Sequence, residues 1–524
     1  MRPVYAIYVE EQLIDLDPKT IIALTLQMSD FASGDLTTRK ASFTNQIKVP
    51  ASQTNIKIFQ FANNPKSGST FPYLKKAITI YANGIRILDG VCIIKSFDTY
   101  FNLQIYSTPK DLSFRIANLY LSDLDFGDSP ITWDAAFIES KRASTSSWCA
   151  PVIDYGQMDA SGAAILIGTW YLPSISYKDT FTAILTNAGY TVSGSFYDND
   201  PVFNKLVLTY ARKDFLNTTL RMNEALSTTF LQSDFIKDFF IRFGAFFRYT
   251  NNNIEIITYE RILSNTSNAI DWTNKRVRNK KDIVQYTWGS LAKINNFIYD
   301  PPDNDPGLSV TGLSITDPRG VLNANGSLTI DNEVIGDTTD LYTSIFNRPN
   351  IIRPSTSGGF EIINGAAGHI CCATSSVWES APTSYTFEKI PNPMIALLCP
   401  KDSTESACTY NGTSYADFLV ARFSSINVNA LPEVPLSNAT QSLGWKSHPA
   451  SGSLNGFLDV YYNQIQLLFD SGLITETNEY NLTDLDINNL DLTVPIYDDG
   501  RYHLINKINS YVSYKTTRVE LLKI

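Results

Sequence analysis

Apolar and polar positions alternate in short runs along the first 112 residues, the period-two pattern of strands that pack on one face. Val4–Val9 opens the series, Ile21–Gln27 follows, and Ala41–Val49 forms a third run stopped by Pro50. Ala77–Tyr81 leads into Asn83-Gly84, a pair that suits a tight hairpin turn because both positions tolerate positive φ. Ile85–Leu88 comes next, Asp89-Gly90 reads as a second punctuation before Val91–Ile94, and Phe101–Ser107 closes the set. Asn63–Thr70, rich in Asn, Ser and Gly, reads as a long loop. Several short strands at this spacing predict a small barrel or sandwich over residues 1–112.

Between 113 and 302 the period changes. Asp179–Ala188 carries apolar residues at 181, 184, 185 and 188, a helical stripe that Gly189 ends. A second helix is predicted from Gln232-Ser233, with Ser233 as its N-cap, and Phe235, Ile236, Phe239, Phe240 and Phe243 give it a strongly apolar face. Core packing is the first reading of Phe239, Phe240 and Phe243, and contact with another subunit is the second. A hairpin follows directly: Ala245–Tyr249, the turn Asn251–Asn253, and Ile254–Thr258. Ile270–Thr273 and Asp282–Trp288 add short strands.

Residues 303–455 are rich in Ser, Thr, Asn, Gly and Pro, with apolar bursts such as Ile395–Leu398. This stretch reads as a β-rich domain inserted into the body of the protein, too apolar and aromatic for a disordered segment. In 456–524, Leu458–Phe469 gives one more helical stripe. From Leu490 strands then return through Leu492–Tyr497, the turn Asp498-Asp499-Gly500, Tyr502–Ile508 and Arg518–Ile524. The chain thus begins and ends in β structure. The expected class is mainly β with some α, in four parts: 1–112, 113–302, 303–455 and 456–524.

Composition changes this picture towards assembly. Only 18% of the residues are charged, whereas there are 28 Tyr and 29 Phe, a balance that suits strands and large contact surfaces. A net charge of -10 argues against a groove that grips phosphate backbones. The one basic run, Lys275–Lys281, is better read as a solvated or ion-pairing turn than as a nucleic-acid contact. No secretion signal and no apolar run long enough to span a bilayer are evident, so the expectation is a product assembled in the cytoplasm. The six cysteines (92, 149, 371, 372, 399 and 408) include no CxxC pair and read as buried free thiols.

Candidate chemistry is sparse. His369, His448 and His503 are the only histidines, and structural or surface roles fit them best. The motifs of phosphate-cradling loops, zinc proteases, dinucleotide-binding turns and nucleophile elbows are all missing. Asp484-x-Asp486-x-Asn488 begins like a calcium loop, but Asn489 stands where that motif needs Gly, and Pro495 where it needs Glu. Turn-forming duty is the better reading of this and of Asp15-x-Asp17 and Asp123-x-Asp125. The expectation is therefore a protein without catalytic residues, cofactor or metal.

Four stretches, taken in order, resemble the hub proteins of phage tails and related contractile machines, and look closest to versions from phages of Bacteroidetes hosts. They are 24–59, with its R-x-x-S-F-T…I-x-V-P strand; 78–94 with 103–112; 180–194 with 233–257; and 490–524, with P-I-Y…G-x-Y-x-x-I-N-K-I and V-E-L-x-K-I. Segment 303–455 has no counterpart in the resemblance. The resemblance implies a homotrimer in the virion tail, at the baseplate or tail tip. Each subunit would supply two tube-like β-barrels, 1–112 and about 470–524, so that three subunits meet a sixfold tail tube or distal tail protein. Below would lie a spike, central fibre or tape measure, with phage DNA passing through a lumen to which it does not bind stably; the acidic balance suits such a channel. A different class is the runner-up: an adhesin-type tail protein that recognises host glycan through a platform including Trp378 and Trp445. A polysaccharide hydrolase is a third, weaker possibility.

Overall fold

The computed structural model describes the chain except for residues 1–2, 28–42, 154–172, 210–216, 287–290, 301–325, 348–350, 355–359, 364–393, 401–407, 411–412, 416–418, 423–442, 447–454 and a few single positions. Mainly β architecture with interspersed helices is what the sequence leads one to expect, and it is what the described residues show.

The largest element is a sheet that takes strands from both ends of the chain. Its order runs Ile283–Gln285, Thr475–Tyr480, Thr517–Lys523, Arg501–Tyr511, Leu24–Gln27, Phe43–Thr44, Tyr100–Ser107, Ile85–Phe97, Lys76–Ala82, Tyr5–Val9 and Gln12–Leu13. Ile47–Pro50 also pairs with Tyr100–Ser107, and Ile496–Asp498 with Arg501–Tyr511. The join between the ends is antiparallel, with Leu24 opposite Tyr511, Leu26 opposite Ile508 and Gln27 opposite Lys507. The two ends therefore share one continuous sheet, and no closed barrel forms among the described residues. The physical reason lies in Leu24–Gln27, which pairs on one edge with Phe43–Thr44 and on the other with the C-terminal strand rather than with a further N-terminal strand.

One hydrophobic core backs this sheet and draws on both ends: Ile7, Ile80, Leu103 and Phe101 pack with Tyr480, Ile508, Val519 and Leu521. A second core gathers the middle of the chain. Helices Tyr177–Asn187 and Gln232–Arg242 pack there with Tyr299, Phe346, Ile395, Trp445, Phe457 and Phe469. Some described strands of 303–455 belong to this body: Met394–Pro400 pairs with Leu206–Thr209, and Thr338–Asn347 runs parallel to Ile294–Asp300, whereas Ile351–Pro354 with Phe360–Ile363 and Cys408–Tyr410 with Thr413–Tyr415 form separate two-stranded sheets.

Local chemistry explains most of the boundaries. Asn83 and Gly84 have φ of 51° and 82°, as a tight hairpin between Lys76–Ala82 and Ile85–Phe97 requires. Asp499 and Gly500 do the same at 50° and 84°. Gly189, at φ 87°, ends the helix that Ser176 caps through its side chain.

Four local readings of the sequence differ from the structure. Asp89-Gly90 is no turn, for both residues lie inside the single strand Ile85–Phe97. The helix after Leu231 starts at Gln232, so Leu231 holds the N-cap position and Ser233 lies within the helix. The stripe 458–469 is split by Tyr462 into Phe457–Tyr461 and Asn463–Asp470. A short helix, Gln53–Ile58, is capped by Ser52, whose hydroxyl accepts from the Asn55 N–H; the sequence reading had no helix there.

Candidate assembly surface

The Phe-rich helix face folds into the protein's own interior. Phe239 and Phe243 are fully buried, and Phe240 is partly buried beside the Phe247 ring at 4.5 Å. Phe239 lies against Phe181 at 4.2 Å between ring centroids, and Phe243 against Tyr461 at 5.1 Å. Core packing thus accounts for Phe239 and Phe243.

The same helix carries a feature its apolar pattern conceals. Asp238 and Arg242, one turn apart, form an ion pair with both side chains fully buried. Arg242 Nε donates to Asp238 Oδ2 at 2.8 Å and Nη2 to Oδ1 at 3.0 Å; Nη1 donates to the Tyr299 hydroxyl at 2.6 Å and Nη2 to Ser344 Oγ at 2.8 Å. Asp238 Oδ1 also accepts from the Tyr342 and Ser344 hydroxyls. The Tyr299 hydroxyl in turn donates to the Leu443 carbonyl at 2.5 Å. The rings of Tyr299, Phe346, Trp445 and Phe457 stand 4.9 to 5.4 Å from the guanidinium carbon. Burial alone would lower the pKa of Arg242, but the Asp238 carboxylate outweighs it and raises it. Burial pushes the Tyr299 phenol up to about 12. The network holds a buried ion pair and ties the helix to strands far along the chain. Its role is to fix packing. Trp445 belongs to it and is wholly enclosed, so its indole is not available to an external glycan; Trp378 lies outside the described residues.

Polar groups also lock the sheet. Asp484 is buried and accepts from Asn83 Nδ2 at 2.7 Å, the Tyr511 hydroxyl at 2.7 Å and Ser513 Oγ at 2.9 Å, joining the N-terminal hairpin to the C-terminal strands. Asp486 caps its own short helix through Thr483 and pairs with Lys275. Asp15 likewise accepts from Ser52 Oγ, and Asp125 from the Gly127 N–H. These acidic pairs do turn and capping work. Among the described residues no group of three or more His, Cys, Asp or Glu is placed to hold a metal ion.

Three cations of the basic run at 275–281 are engaged within the chain. Arg276 reaches Asp282 at 2.6 Å and Asp498 at 3.2 Å, and Arg278 reaches Asp499 at 3.6 Å. Lys275 pairs with Asp486 as above. The run therefore fastens the mid-chain segment to the acidic turn at 498–499, which is the ion-pairing role.

His503 is buried, and neither ring nitrogen has a hydrogen-bond partner; its Nε2 lies 3.8 Å from Glu476 Oε2. Burial lowers its pKa, while Glu476 and Asp498 pull the other way. His369 and His448 lie outside the described residues. Cys92 and Cys149 are buried free thiols, both pushed up to about 12 by burial. Cys371 and Cys372 lie outside the described residues.

Exposed apolar residues are spread over the described surface, and some of them stand at the two ends of the sheet. At one end, Ile283–Gln285 pairs antiparallel with Thr475–Tyr480, and every residue from 278 to 286 is exposed. Ile283, Val284 and Tyr286 show 44%, 43% and 68% of their surface. At the other end, Gln12–Leu13 pairs with Tyr8–Val9 through a turn in which Glu10 and Glu11 adopt φ of 49° and 66°. Edges of this kind present unpaired backbone groups and can be extended by another strand. The sequence marked 282–288 as a strand but could not mark it as an edge.

No protein-family model and no curated protein matches the chain. Among solved structures, the chain is similar to a 43 kDa tail protein of prophage MuSo2 from Shewanella oneidensis, with a TM-score of 0.37, 7% identity, and 99% of this chain and 98% of that chain covered. It is similar to a tail protein from Neisseria meningitidis MC58, with a TM-score of 0.36, 7% identity, and 100% and 96% covered. It is also similar to prophage tail protein gp18 from Listeria monocytogenes EGD-e, with a TM-score of 0.33, 8% identity, and 99% and 94% covered.

Proposed function

We propose that this protein is a structural, non-enzymatic component of a phage tail: a trimeric hub at the baseplate or tail tip that ends the tail tube and holds a spike or fibre. The observation that carries the reading is the shared sheet. Strands from the first 107 residues and from the last 50 lie side by side, joined by Leu24–Gln27 against Arg501–Tyr511. Each subunit thus offers two neighbouring β modules in one layer, and three subunits would offer six to a sixfold tube. The ordered resemblance of four sequence stretches points the same way. Buried polar nodes at Asp484 and Arg242 support a rigid part whose job is to hold position, and the acidic balance suits passage of DNA without adhesion.

The test is the mass of the purified full chain in solution at micromolar concentration. A stable trimer is expected; a monomer at all concentrations would count against the hub.

A further inference from the structure

The two ends of the large sheet differ in a way that bears on how copies of this chain meet. The Ile283–Gln285 end is apolar and basic: exposed Ile283, Val284 and Tyr286 follow on exposed Lys280 and Lys281, and the carboxylate of the intervening Asp282 is paired with Arg276 at 2.6 Å. The Gln12–Leu13 end is acidic: exposed Glu10 and Glu11 precede Gln12 and a half-exposed Leu13. Among the described residues, each strand is paired on one side only.

We propose that the Ile283–Gln285 edge of one subunit receives the Gln12–Leu13 edge of a second copy of this chain, so that sheets join head to tail around the assembly. This rests on the trimeric reading above and names its interface.

Three physical points carry it. An edge strand that exposes Val and Ile on a paired ladder invites extension, and proteins usually guard such edges with charge or Pro. Here Lys280, Lys281 and the Arg276-paired Asp282 stand on the N-terminal side of the edge, while Ile283, Val284, Gln285 and Tyr286 are uncharged. The two edges carry opposite charge, so this contact attracts, whereas like edges would repel. Because they are different surfaces of one chain, their union is heterologous, and repetition closes a ring when the rotation allows.

The test is a charge-reversal cycle on the full chain, with oligomeric state read by sedimentation and folding checked by circular dichroism. Lys280→Glu with Lys281→Glu, or Glu11→Lys with Gln12→Lys, is expected to weaken association on the order of tenfold. The two pairs combined are expected to restore it. Val284→Lys is expected to dissociate the oligomer while Val284→Thr leaves it intact. A trimer indifferent to every one of these changes would overturn the edge pairing and leave the trimeric reading standing. A wild-type chain that sediments as a monomer throughout would overturn both.

Discussion

Arg242 shows how much a single residue holds in this fold. Its guanidinium satisfies Asp238, Tyr299 and Ser344 at once, and it draws Trp445 and Phe457 onto its faces. Arg242→Met should leave the Asp238 carboxylate buried and uncompensated, at a cost of about 3–5 kcal/mol; Arg242→Met with Asp238→Leu should cost less than the single change. Urea unfolding followed by intrinsic fluorescence checks both. His503 works in the opposite sense. Burial holds its folded pKa below the ordinary value of 6.5, so the unfolded chain takes up the proton first. Stability should therefore fall as pH drops below about 6.5 and level off once pH passes below the folded value. His503→Gln should flatten that dependence, read from melting temperatures between pH 7.5 and 5.5; an unchanged slope would remove His503 as its source. The i,i+4 spacing of Asp238 and Arg242 is legible in sequence. Their burial is not, because Tyr299, Tyr342, Ser344 and Trp445 are distant in the chain.

At the scale of elements, strands were legible where alternation and turn chemistry agree, as at Lys76–Ala82, Asn83-Gly84 and Arg501–Tyr511. Gly90 misled because Asp-Gly is ordinary turn chemistry. In the fold it sits opposite Ser107, where an added Cβ would lie 1.9 Å from the Tyr106 carbonyl oxygen. That glycine serves a close backbone approach between strands. Gly90→Ala should destabilise the sheet by about 1–3 kcal/mol through this overlap, measured by thermal unfolding against wild type. The split at Tyr462 escaped because the apolar stripe continues across it. The Tyr462 hydroxyl donates to the Ile241 carbonyl at 2.5 Å, a contact between segments that no local window contains. Strand pairing across nearly five hundred residues, Leu24–Gln27 with Arg501–Tyr511, was equally out of reach of alternation alone, although β structure at both ends was expected.

For the molecule as a whole, the proposed role rests on the shared sheet. Two bodies are distinguished by their cores. One draws mainly on both chain ends, and the other mainly on the middle together with strands such as Met394–Pro400 and Thr338–Asn347. The first offers the modules that would meet a tail tube, and the second would form the collar below. The central claim is that the chain stands on the tail axis. An electron-microscopy map of the assembled particle tests it most directly: the account predicts three copies in a ring at the end of the tube, the shared sheets facing it. Copies found off the axis, projecting outward from the tail, would contradict it.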